Sequence, residues 1–87
     1  MKIRPTQPHD STELQRLIAE FRVSLAELRG RVQDLDLAAA EEELAEYHAK
    51  GFPIYVAEME TGELAGYLVC RVDGEVVWAE SLYVQTA

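Results

Sequence analysis

From Leu64 to Val72 the chain carries apolar side chains at positions of both parities. Leu64, Leu68, Cys70 and Val72 fall on one face of an extended strand, and Ala65, Tyr67 and Val69 on the other. A strand that is apolar on both faces requires cover on both. The rest of the chain supplies two helical segments, which normally cover one face of a sheet. The sequence therefore describes a sheet whose second face needs something beyond those two helices. With 87 residues there is room for one domain, near the lower end of what folds alone.

The remaining elements follow from punctuation and period. Lys2 to Thr6 reads as a short extended opening, held out of helix by Pro5 and followed by an irregular stretch around Pro8. Asp10 offers an N-cap with Glu13 three residues on, a capping-box pattern. Behind it Leu14, Leu17, Ile18, Phe21, Leu25 and Leu28 recur at helical spacing, and Gly30 suits a left-handed C-terminal cap. A second helix is predicted from about Leu37 to Lys50, capped by Asp34 or Asp36, with Leu37, Ala40, Leu44 and Tyr47 as its apolar stripe. Its Glu41-Glu42-Glu43 run reads as a solvated face, and Glu46 can pair with Lys50. Gly51 and Pro53 stop it.

Beyond Phe52 the period becomes two. Ile54 to Ala57, Leu64 to Val72 and Val76 to Val84 form a meander, turning at Thr61-Gly62 and at Asp73-Gly74. The fold class is thus α+β, in the order β-α-α-β-β-β. It is a mostly antiparallel sheet with two helices on one face, spanning 1–87 as a single partial domain.

Charge narrows the function. Sixteen Asp and Glu face eight Lys and Arg, a formal net charge of -8. That balance argues against nucleic acid and anionic membranes, which need a basic surface; it either suits a cationic partner such as an amine or simply keeps the protein soluble. No apolar stretch is long enough to span a bilayer, and the polar start after Met1 lacks the apolar core of a signal peptide, so a cytoplasmic protein is expected. One cysteine, Cys70, and two isolated histidines, His9 and His48, give neither a disulfide framework nor a metal-ligand pattern. Cys70 reads as a small buried hydrophobe. Arg71 is expected to pair with Asp73 or Glu75 at the hairpin end.

Several segments, in this order, resemble the first half of the GNAT superfamily of acetyl-CoA-dependent N-acetyltransferases. They are Ile3-Arg4-Pro5, Leu17-Ile18-Ala19-Glu20-Phe21-Arg22, Tyr55-Val56-Ala57-Glu58, Gly62-Glu63-Leu64-Ala65-Gly66-Tyr67 and Glu80-Ser81-Leu82-Tyr83-Val84. The resemblance implies that the strand Val76 to Val84 is the one whose backbone faces the cofactor. Leu82, Tyr83 and Val84 would then lie along the acetyl group and pantetheine arm, where a bulge aims an amide N–H at the thioester carbonyl. Phe21 and Arg22 would line the acceptor side. Glu80 would act as base, directly or through water. No metal is implied. The family's glycine-rich phosphate loop has no counterpart in Val84-Gln85-Thr86-Ala87, so tight acetyl-CoA binding and catalysis are not expected of these residues alone. Two alternatives accompany this reading: a non-catalytic half-domain, and a split enzyme completed by another chain. In either case the open sheet predicts a homodimer, through the Val76–Val84 edge or the uncovered face. Trp78 and Tyr83 read as core or interface aromatics.

Overall fold

A computed structural model describes residues 1–85; Thr86 and Ala87, where the resemblance looks for the phosphate loop to open, lie outside the described residues. The chain runs β1 (Lys2–Pro5), a 3-10 turn (Pro8–Asp10), α1 (Ser11–Leu28), α2 (Leu37–Ala49), β2 (Ile54–Glu58), β3 (Leu64–Asp73) and β4 (Val76–Val84). The strands form one four-stranded sheet in the order β1-β2-β3-β4, with every neighbouring pair antiparallel. The α+β architecture and its element order are those expected.

Both helices pack on one face. Leu14, Leu17, Ile18 and Ala19 of α1 and Ala40 and Leu44 of α2 close over Ile54, Val56, Leu64, Tyr67 and Val69. Each large side chain buried there contributes about 1.5–3 kcal/mol of transfer free energy, and this one layer is the core. The stripe of α1 runs past the sheet, leaving Leu28 exposed while Ala26 is buried; Leu37 at the start of α2 is exposed as well. Asp36 rather than Asp34 caps α2, accepting from Ala39 N–H at 2.9 Å. Gly30 and Gly51, which end the helices, have φ of 73° and 69°.

The capping box expected at Asp10 and Glu13 does not form. Asp10 turns away from the helix and takes two hydrogen bonds from Arg4, at 2.8 and 2.9 Å, and one from Gln7 N–H at 2.7 Å. Glu13 accepts from Leu64 N–H at 2.7 Å, tying α1 to the start of β3. A long-range partner outcompetes the local cap, because each carboxylate finds a better donor across the fold.

Two register shifts decide which side chains face where. Ala57 pairs with Gly66 but Glu58 with Leu64, so Ala65 is an extra residue and Leu64 joins Tyr67 and Val69 on the helix face. Simple alternation misplaces Leu64 with Leu68 for this reason. The second shift lies in β4. Val69 pairs with Ser81 and Cys70 with Ala79, which makes Glu80 the extra residue. The last hairpin also sits one residue later than expected. Asp73 pairs with Val76, and Gly74, with φ 63°, opens the loop.

The opposite face lacks cover among the described residues. The pairing places Ile3, Ala57 and Val84 in one row, Tyr55, Leu68 and Leu82 in another, and Cys70 with Ala79 and Val72 with Val77 beyond. Small residues such as Ala57 and Cys70 are hidden among their neighbours, but Val77 is 64% exposed and Val84 60%. The two-sided apolar pattern of β3 thus has one side buried by helices and the other open.

Candidate functional site

A cleft of about 360 Å³ opens where α1, α2 and β4 converge. Phe21 and Arg22 reach it from α1, Glu43 and Tyr47 from α2, and Glu80 and Ser81 from β4. Three of the residues singled out in the sequence, Phe21, Arg22 and Glu80, therefore meet in one place. The bulge explains how Glu80 arrives. Strict alternation with Ser81 would send it to the other face, whereas an extra residue lets neighbouring side chains share a side.

Leu82, Tyr83 and Val84 divide differently. Tyr83 faces the helices and stacks on Phe21, with ring centroids 5.5 Å apart, and it lines a second cleft with Glu20, Asp34 and Gln85. The side chains of Leu82 and Val84 lie in the open-face rows and are exposed. The side chains of this stretch thus divide between the two faces, and β4 is an edge strand with no further neighbour among the described residues.

A polar network that the sequence reading did not foresee closes the floor of the first cleft. Glu43, expected to face solvent, turns inward. Its Oε1 accepts from Arg22 Nη1 at 2.8 Å and its Oε2 from the Tyr47 hydroxyl at 2.6 Å. Behind them the hydroxyls of Tyr67 and Ser81 lie 2.9 Å apart in a buried pair. Burial pushes the Tyr67 phenol up to about 12, against a smaller opposing effect of its Ser81 hydrogen bond. Burial first, and the Glu43 acceptor second, also hold Tyr47 above the ordinary phenol range. At neutral pH both phenols are protonated, and Tyr47 donates to Glu43. The signal for Glu43 was present in the spacing, since Ala40, Glu43, Leu44 and Tyr47 share one helical stripe.

The two carboxylates of the cleft are therefore unequal. Glu43 has both oxygens engaged. Glu80 Oε2 lies 3.3 Å from Arg71 Nε, an ionic contact without hydrogen-bond geometry, since that Nε has no hydrogen-bond partner. Arg71 was expected at Asp73 or Glu75. It turns to Glu80 and lays its guanidinium 5.7 Å from the exposed Trp78 ring. Of the two acids, Glu80 retains the freer acceptor oxygens.

No protein-family model matches the chain, and no curated protein matches it either. Among the described residues no cluster of three or more His, Cys, Asp and Glu is placed to hold a metal ion, and no helix is long and apolar enough to cross a membrane.

Proposed function

We propose that this chain is the acceptor side of an acetyl-CoA-dependent N-acyltransferase of the GNAT type, with the amine seated in the cleft between α1, α2 and β4. The observation that carries the reading is the bulge at Glu80. It delivers a carboxylate to a cleft walled by Phe21 and Arg22, on the strand whose outer backbone edge is free. Acyl transfer to an amine needs the attacking nitrogen neutral and held in line with the acyl carbon. Glu80 takes the amine proton, which would then pass through solvent to the thiolate that leaves. Glu43 holds the ammonium form electrostatically on entry while Tyr47 and Arg22 keep its oxygens fixed. A bulge disrupts the local ladder, and an amide N–H at this one would meet the developing negative charge on the carbonyl oxygen.

Bound acetyl-CoA would supply an activated acyl group as a thioester. The residues present fit its extended arm, through the free edge of β4. The neighbouring second cleft does not fit its phosphates, since it carries Glu20 and Asp34 and no basic side chain. Phosphate binding then falls to another segment or another chain, in keeping with a split enzyme. A cytoplasmic setting accords with the single free thiol of Cys70.

The experiment is Glu80→Gln in an assembly that transfers acetyl groups. Turnover should fall by about 10²- to 10⁴-fold with the melting temperature kept. Equal rates in both proteins across neutral to mildly alkaline pH would return Glu80 to a structural role.

A second reading is supported by the open sheet face: a half-domain that pairs with a second copy of itself. Ile3, Tyr55, Val72, Val77, Leu82 and Val84 are all exposed there. At roughly 100 Å² each they offer about 600 Å² per copy, near the roughly 800 Å² per partner of a stable interface. The two readings are compatible, because the cleft and the open face lie on opposite sides of the sheet.

A further inference from the structure

The cleft holds more positive charge than an amine site requires. Arg22, Arg29 and Arg31 all line it, three of the eight Lys and Arg in a chain of net charge -8. Arg22 lies on α1 and Arg29 is its C-cap residue seven positions on, and the left-handed Gly30 turns the chain so that Arg31 lines the cleft too. Arg22 is committed to Glu43. Among the described residues, Arg29 and Arg31 make no ion pair with any carboxylate. One basic group near the end of α1 is expected from the helix dipole. Arg29 and Arg31 are both exposed, and beside Arg22 they leave the rim of the cleft with positive charge that no carboxylate among the described residues pairs.

From this we infer that the acceptor carries a carboxylate as well as its amine, an amino acid-type zwitterion whose carboxylate is held by Arg29 and Arg31. The inference rests on the acyltransferase reading and names its substrate class. A planar guanidinium fork matches a carboxylate in two-point fashion, which a lysine would not. The ammonium end meets Glu43 and Glu80. The volume of about 360 Å³ corresponds to about a dozen water-sized groups, enough for a single amino acid. Phe21, Leu25 and Tyr47 give its side chain an apolar wall. A simple amine would leave Arg29 and Arg31 unmatched.

The test is binding without any acyl donor. The ¹⁵N-labelled 87-residue chain is titrated with free L-amino acids and with the amine that each gives on decarboxylation. At least one amino acid should bind about tenfold or more tightly than its matched amine, shifting the amides of Arg29, Arg31 and Glu80. The double variant Arg29→Gln, Arg31→Gln should lose that preference while keeping a dispersed spectrum, as expected for exposed positions. The inference is overturned by equal affinity across every pair, by no binding of any pair, or by a preference that survives in the folded double variant. If the variant does not fold, the pairwise comparison in the wild type decides alone. Because no acetyl group is transferred, failure here leaves the acyltransferase reading standing. Loss of that reading in the Glu80→Gln assay likewise leaves this binding result intact.

Discussion

Asp10→Asn is the most informative single substitution for how the start of the chain is held. Asp10 is 4% exposed and accepts from both Arg4 guanidinium nitrogens and from Gln7 N–H. The Arg4 hydrogen bonds, opposed in part by burial, hold its carboxyl down from 3.8 to about 2. A depressed carboxyl contributes stability that is fully present above its unfolded value and is lost as pH falls through its folded value. With solvent screening the ionised form contributes about 1–2 kcal/mol near neutrality, and about half of that remains at pH 3. Asparagine keeps one acceptor but turns an N–H₂ toward Arg4, so the loss at pH 7 should be about 2 kcal/mol, or roughly 8–16 °C in melting temperature for a domain of this size. Arg4 retains Glu58 at 3.0 Å, which limits the damage. Urea unfolding followed by circular dichroism at pH 7 and pH 3 measures both numbers. A wild type and variant separated equally at both pH values, or by under about 0.5 kcal/mol at pH 7, would refute the assignment of that stability to the ionised carboxylate.

Three further outcomes are expected. Gly66→Ala should cost about 1–3 kcal/mol in urea unfolding, because an added Cβ would sit 2.5 Å from the Tyr83 carbonyl oxygen and push β4 from β3; unchanged stability would mean that the strands separate at no cost. Calorimetry should find acetyl-CoA binding to the 87-residue chain no tighter than millimolar, and a dissociation constant of about 1 μM would show that the described residues do bind the phosphates. Sedimentation at micromolar concentration should show a dimer that Leu82→Asp converts to monomer, whereas a sharply melting wild-type monomer, or a dimer untouched by the substitution, would remove the second-copy reading.

Element order was legible because it rests on period and punctuation, which are local. Leu14, Leu17 and Ile18 had to line one helical face, and Gly30, Gly51 and Gly74 had to end something. What escaped was set by partners far away in sequence. Glu13 left its cap for Leu64 N–H, Glu43 left solvent for Arg22, and Arg71 passed over Asp73 for Glu80. Each is a charged side chain choosing among several competent partners, and spacing alone does not rank them. The bulges were illegible for a related reason. An inserted residue changes the face of a neighbour without changing composition or average alternation, so Leu64 carried no mark of its crossing. Of the site, Phe21, Arg22 and Glu80 were placed together by resemblance, while Glu43, Tyr47, Arg29 and Arg31 needed the fold.

One irregularity in β4 shapes both surfaces on which the functional readings rest. With Ser81 on the helix face, unbroken alternation would put Ala79 beside it and Glu80 among Leu82, Leu68 and Cys70 on the open side. That arrangement would bury a carboxylate in any association through the open face, at a cost of several kcal/mol, and would leave the cleft with Glu43, whose oxygens are already engaged. The extra residue at Glu80 reverses both consequences. It carries the acid to the cleft, and it returns Ala79 and Val77 to the open face, where they continue the apolar rows of Leu82 and Val84. A carboxylate in the cleft and an uncharged strip of β4 on the reverse side therefore share a single structural cause. Neither can be removed by straightening the strand without losing the other.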